Sequence, residues 1–173
     1  MAETPVTYVS KEHPMKPRIV THTPLVVVGM LIVTKPMSPE IPELWSRFVQ
    51  REHEISGVLE PGVTYGVMQM EAGDAGGLSY LAGLSVSAQA VPVPAGMTAV
   101  TIPAGQYAVF EFPLSEIGSA FDFMLNSWLP SSGYAPTGSP MFERYGEDFD
   151  PTVPSSRLAV HIPIVASANA SDA

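Results

Sequence analysis

One carboxylate stands apart from its surroundings. The chain runs Trp128-Leu129-Pro130-Ser131-Ser132-Gly133-Tyr134 and then Met141-Phe142-Glu143-Arg144-Tyr145, which sets Glu143 among large apolar and aromatic side chains in what reads as a buried strand. A Glu is almost never fully buried unless something pairs with it, so a lone one in an apolar strand has either a raised pKa or a cation still to come. Either answer points to a pocket. Alternation along a strand sets Met141, Glu143 and Tyr145 on one face and Phe142 and Arg144 on the other, so Arg144 is poorly placed to neutralise its neighbour. With Phe142 turned to the helix layer, the usual destination of a strand phenylalanine, Glu143 is expected to look the opposite way, into a cavity.

A carboxylate among aromatic rings suits a delocalised organic cation, held by charge and by cation–π contacts of about 0.5 to 2 kcal/mol each. Apolar contact then supplies affinity and one charge supplies orientation, which favours breadth of recognition. The same carboxylate, perturbed toward neutral pH, could instead serve as a general base on water with a neighbouring tyrosine as acid. The candidate lining comprises Glu143, Met141, Trp45, Trp128, Tyr65, Tyr80 and Tyr145. Both tryptophans lie on apolar helix faces, where core packing is the plainer explanation and a cavity wall the rival one. Strand tyrosines can pack their rings while the hydroxyl finds a partner.

Other chemistries have no residues to carry them. The chain has no cysteine, hence no disulfide framework, thiolate nucleophile or thiolate metal site. His13, His22, His53 and His161 are scattered, with no close His pair in the sequence, so neither a metal nor a cofactor is expected. No nucleophile elbow, phosphate loop or dinucleotide fingerprint occurs, and the glycines of 73–77 lack the lysine that phosphate cradling requires. The acidic run Glu147, Asp148 and Asp150 reads as a solvated loop. Seventeen Asp and Glu against eight Lys and Arg give a net charge of −9, which speaks against direct nucleic-acid binding. No segment approaches the roughly 18 apolar residues of a membrane span and none resembles a signal peptide, so a cytoplasmic protein is expected.

The elements that must position these residues follow from periodicity. At 173 residues with 18 prolines, the chain is expected to be one domain rich in strands and turns. Residues 18–23 and 25–34 read as a first hairpin across Thr23-Pro24. Ser38-Pro39 then opens an amphipathic helix with Ile41, Leu44, Trp45, Phe48 and Val49 on one face, ending before Gly57. Strands follow at 64–70 and 78–87, separated by a turn at 72–77. The pattern begins again with a second hairpin at 97–102 and 106–112, a helix whose face carries Leu114, Ile117, Phe121, Met124, Leu125 and Trp128, and strands at 141–145 and 157–165. Two repeats are therefore expected, about 18–87 and 97–165, with tails at 1–16 and 166–173. Leu81-Ala82 against Leu158-Ala159 is a faint residue echo between them. Such a chain is α+β: duplicated strand-helix-strand-strand units, antiparallel sheets and two main helices around a central cleft.

Taken in order, Leu25-Val26-Val27-Val28-Gly29, Ile41-Pro42-Glu43-Leu44-Trp45-Ser46-Arg47-Phe48, Tyr65-Gly66-Val67, Tyr80-Leu81-Ala82-Gly83, Ile102-Pro103-Ala104-Gly105-Gln106-Tyr107-Ala108-Val109-Phe110, Trp128-Leu129-Pro130 and Phe142-Glu143-Arg144-Tyr145 form a series. Over residues 18–165 this series resembles the GyrI-like small-molecule-binding family. That family includes effector-binding domains of AraC-type and multidrug-sensing regulators and free-standing proteins of similar size. The resemblance implies a central cavity with Glu143 facing lipophilic, amphipathic cations. It also implies two alternatives: a hydrolase of strained electrophilic small molecules of the cyclopropanoid type with Glu143 as base, and a sensor or gyrase-inhibitor-like interaction protein with a regulator or gyrase as partner. Ser79 before Tyr80, where many relatives are acidic, and Arg144, where an apolar residue is common, depart from the pattern.

Overall fold

In a computed structural model, residues 15–71, 76–87 and 92–168 are described. The tails at 1–14 and 169–173, His13 and most of the expected 72–77 turn lie outside the described residues. The strands are β1 (Arg18–His22), β2 (Leu25–Thr34), β3 (Thr64–Met70), β4 (Leu78–Val86), β5 (Thr98–Ile102), β6 (Gly105–Pro113), β7 (Tyr134–Pro136), β8 (Met141–Tyr145) and β9 (Arg157–Ala166). They form one antiparallel sheet in the order β1-β6-β9-β8-β3-β4-β2-β5, with β7 pairing the far end of β9. The fold is α+β.

The two expected hairpins do not form. β1 pairs β6, not β2, and β5 pairs β2, not β6. Each short strand crosses to the other half of the chain, because the Thr23-Pro24 and Pro103-Ala104 links turn the backbone without closing a two-stranded ladder. The strand order is unchanged when β1, β2, β3 and β4 are exchanged with β5, β6, β8 and β9. Its centre is the β3–β8 pair, where Gly66 stands opposite Glu143. The Leu81 and Leu158 echo is out of phase: Leu81 belongs to the core of one face of the sheet and Leu158 to that of the other.

Helices cover one face. Helix α1 (Glu40–Val49) starts after Pro39, with the Glu40 amide donating to Ser38 Oγ at 3.2 Å, Glu40 and Glu43 in the first turn and Arg47 in the last. That charge order complements the helix dipole. Leu44 and Phe48 are buried beneath it. In the second half a 3-10 turn (Leu114–Glu116) leads into α2 (Ile117–Phe123), a π-helical turn (Met124–Trp128) and α3 (Leu129–Ser131). Pro130 has no N–H to return to the carbonyl four residues back, and the helix widens just ahead of it. Gly133, at φ +80°, ends the segment in a conformation that costs glycine little.

The helix side holds two apolar cores. One, under α1, contains Val28, Leu44, Phe48, Tyr80 and Leu84; the other, under α2, contains Phe110, Phe112, Met124, Tyr145 and Val160. Trp45, Phe121 and Met141 pack against both and mark the seam between them. The helix-free face is not a wet surface. Val27, Tyr65, Val67, Leu81, Ile102, Tyr107 and Phe142, from six strands, make a third core there, joined by Val20 of β1 and Val100 of β5. For strands so far apart in the order to share a core, the sheet must curl over this face.

Candidate functional site

Glu143 lies at the middle of the sheet and is 4% exposed. It faces the helices, the reverse of the orientation expected from Phe142. Phe142 packs instead into the core of the helix-free face, against Tyr65 and Tyr107 at 5.8 Å between ring centroids. Alternation told the two neighbours apart without telling which face was which. Because the curled sheet buries both faces, an apolar residue is as well served on either.

The Tyr80 hydroxyl donates to Glu143 Oε1 at 2.6 Å, the Tyr145 hydroxyl donates to Oε2 at 3.0 Å, and the Trp45 indole N–H donates to the Tyr80 oxygen at 3.0 Å. Trp45 of α1 stands edge-on over Tyr80 and Tyr145, with centroids 6.4 and 5.5 Å away. Four of the expected residues thus meet in one hydrogen-bonded cluster, and Met141 lies on the same face at the seam.

Glycine makes room for it. A Cβ on Gly66 would run into the Tyr80 hydroxyl and the Glu143 carboxylate, so the strand opposite Glu143 must present no side chain there. Gly66 was part of the sequence pattern without a role attached to it, and only its register against Glu143 supplies one.

Burial pushes the Glu143 carboxyl above the ordinary range, and the two tyrosine hydrogen bonds pull it only part of the way back. No cationic side chain enters that balance. Both tyrosines are held well above a normal phenol, first by burial and then by the adjacent carboxylate. Arg144 turns away, as alternation predicts, and pairs with Glu60 at 2.9 Å on the helix-free side.

Two expected residues fall elsewhere. Tyr65 lies on the helix-free face, its hydroxyl bonded to Glu60 and its pKa pushed up to about 12 by burial and then by that carboxylate. It cannot share a cavity with Glu143, because the sheet lies between them. Trp128 is on the helix side but packs on Phe110 at 5.1 Å and stacks with Tyr134 at 6.2 Å. Phe110 is on β6, two strands from β8, or about 10 Å at the usual strand spacing.

The scattered histidines give the opposite surprise. His22 Nε2 and His161 Nδ1 are 2.8 Å apart on the helix-free face, although 139 residues separate them. Their lone positions in β1 and β9 carried no local signal of this contact. Only the pairing of β1 with β6, and of β6 with β9, brings them together.

A sheet with paired helix-covered cores and a buried, cation-free carboxylate at its centre describes a class of α+β ligand-binding domain. Residues 15–165 match the family described as the GyrI-like small molecule binding domain, and the chain belongs to that family. The transcriptional regulator BrlR of Pseudomonas aeruginosa is 35% identical over 153 residues, covering 87% of this chain and 56% of that protein. The chain therefore spans little more than half the length of this curated relative. Among solved structures, SAV2435 bound to tetraphenylphosphonium superposes with a TM-score of 0.69 at 18% identity, covering 87% of this chain and 94% of the other. The EcmrR C-terminal domain superposes with a TM-score of 0.64 at 12% identity, covering 88% and 99%. At those identities the likeness is one of fold. Among the described residues no helix is long and apolar enough to cross a membrane.

Proposed function

We propose that this chain binds lipophilic aromatic cations at the seam between the two helix-side cores, with Glu143 as counter-charge. The observation that carries the reading is a buried carboxylate whose hydrogen-bond partners are two tyrosine hydroxyls and whose charge no internal base answers. A cation delivered there would relieve the desolvation cost that now favours the protonated acid. Trp45, Phe121 and Met141 bridge the two cores and are only partly buried, which gives a ligand a point of approach at the seam. Trp45, Tyr80 and Tyr145 would then face the ligand with their rings. The tetraphenylphosphonium carried by a structure of the same fold is a cation of this class.

Calorimetric titration with tetraphenylphosphonium tests the reading. Glu143→Gln is expected to weaken binding by about 1 to 3 kcal/mol, the scale of a charged partner. Equal affinity in the two proteins would overturn the counter-charge role. Because BrlR is a transcriptional regulator of which the match covers 56%, we read these residues as the ligand-sensing part of such a system.

A hydrolytic reading draws on the same cluster. A carboxyl with a raised pKa, flanked by two phenols, has the groups for general base and acid on a strained electrophile. Turnover of a reactive cyclopropane, lost in Glu143→Gln, would favour it over simple binding.

A further inference from the structure

We propose that the helix-free face carries a second binding site, for a small planar aromatic carboxylate. The inference rests on residues other than the Glu143 cluster and stands independently of the reading above. A cavity of about 470 Å³ opens there, with Phe142 and His161 in its lining. This volume lies within the range of ordinary small-molecule pockets, about 300 to 1,000 Å³. Phe142 and His161 are stacked on one another, at 15° and 4.3 Å between centroids, and with Val20, Leu25 and Ile102 they give the cavity an apolar and aromatic wall.

The polar groups favour an acceptor. His161 is 6% exposed and its Nδ1 is engaged by His22, whereas its Nε2 has no hydrogen-bond partner among the described residues. No side-chain nitrogen or oxygen among those residues is both sealed from solvent and unpartnered, so this Nε2 retains access to the cavity. Burial holds the ring neutral, at about 3, and the neighbouring His22, Arg144 and Arg18 charges push it the same way. In the tautomer where His22 donates to His161 Nδ1, His161 presents an N–H to the cavity, and an anionic oxygen would select that tautomer.

Arg18 and Arg144 also line the cavity. Each spends guanidinium nitrogen on a carboxylate, Arg18 on Glu111 at 3.0 Å and Arg144 on Glu60 at 2.9 Å, and each keeps further N–H groups free. Glu60 already accepts from Tyr65, Ser85 and Arg144, which leaves about one of a carboxylate's four acceptor positions. Each arginine thus has N–H groups left over after its ion pair, beside the carboxylates of Glu60 and Glu111 that line the same cavity. Four of the eight cationic side chains in an otherwise acidic protein, Lys16, Arg18, Arg144 and Arg157, line this cavity or the concavity adjoining it at Arg18 and Glu111. Among the described residues no third His, Asp or Glu completes a set around the two imidazoles that could hold a metal ion. An aromatic ring against Leu25, Ile102 and Phe142, with a carboxylate reaching Arg144 and Arg18, satisfies what the cavity presents.

Titration of the intact chain with 2-naphthoate, with 2-naphthylmethanol as the uncharged control, tests the site. One equivalent of naphthoate is expected to bind. Affinity should fall about tenfold for the alcohol and in Arg144→Gln, by less in Arg18→Gln, and should be unchanged in Glu143→Gln. Arg144→Lys, which keeps the charge beside Glu60, guards against reading a folding defect as a binding loss, and Arg18 is exposed enough to change without harm to the fold. Absence of saturable naphthoate binding, equal affinity for the alcohol, or indifference to both arginine changes would overturn the proposal. So would any change of naphthoate affinity in Glu143→Gln, a gain above all, because removing a negative charge favours an anion bound beside it and would put the ligand on the helix face.

Discussion

At the scale of single residues, Glu143 combines two properties rarely found together in a core: it is ionisable, and no basic side chain answers its charge. Its consequence for stability has a definite sign. In the unfolded chain the carboxyl titrates near 4.5 and in the folded protein higher. Below 4.5 both states carry the proton and burial of the acid costs little. As pH rises through the folded-state value, the unfolded chain releases its proton more readily and the fold loses stability. Glu143→Gln removes that dependence and leaves groups such as His161, common to both proteins, to cancel in the difference. The variant is expected to match its parent near pH 4.5 and to be the more stable of the two, with the higher Tm, near pH 8. Thermal melts of the pair across that range check the slope. A difference that stays flat with pH would mean that Glu143 is ionised at no cost.

At the scale of elements, the site depends on the register of β3 against β8. Gly66 stands opposite Glu143, and an added methyl would displace both the Tyr80 hydroxyl and the carboxylate it bonds. Gly66→Ala is expected to cost about 1–3 kcal/mol, the usual penalty for overpacking a finished core, and to weaken cation binding together with stability. Gly118→Ala is the matched control. In α2 its Cβ would meet only the tip of Met37 at 4.0 Å, and the gain in helix propensity should leave the protein as stable or more so. Urea denaturation of both variants separates a register effect from a general intolerance of alanine. Equal, small effects at the two positions would remove Gly66 from the account of the site.

At the scale of the whole molecule, neither half completes its own sheet. β1 is paired only by β6 and β5 only by β2, so a cut in the connection between β4 and β5 leaves each fragment with an unpaired edge. The Glu143 cluster is divided in the same way, with Trp45 and Tyr80 on one side of the cut and Glu143 and Tyr145 on the other. Fragments 15–87 and 92–168 are expected to lack stable sheet structure alone and to recover it, with cation binding, when mixed in equal amounts. Circular dichroism and titration of the separate and combined fragments decide this. A fragment that folds and binds by itself would show that the strand exchange is dispensable.

Much of the local structure was legible because it is written locally. Apolar periods of two and of 3.6 place eight of the strands and the two helical segments near their observed positions, and β7, three residues bounded by Gly133 and Pro136, is too short to show a period. Glu143 was legible for the same reason, since a charge inside an apolar strand is visible without knowing what the strand touches. Partners are another matter. Alternation separates Glu143 from Phe142 but assigns neither to the helix side. Pairing across 139 residues brings His22 to His161, and the exchange of β1 and β5 overrides the proximity that suggested hairpins. Tyr65 and Trp128 lie away from the Glu143 cluster for the same reason. Propensity and periodicity act over a few residues, and so the sequence alone determined which elements form and which residue is anomalous. Which face each side chain serves is settled by how a twisted sheet closes on itself, a property of all the strands together, and this only the tertiary structure decided.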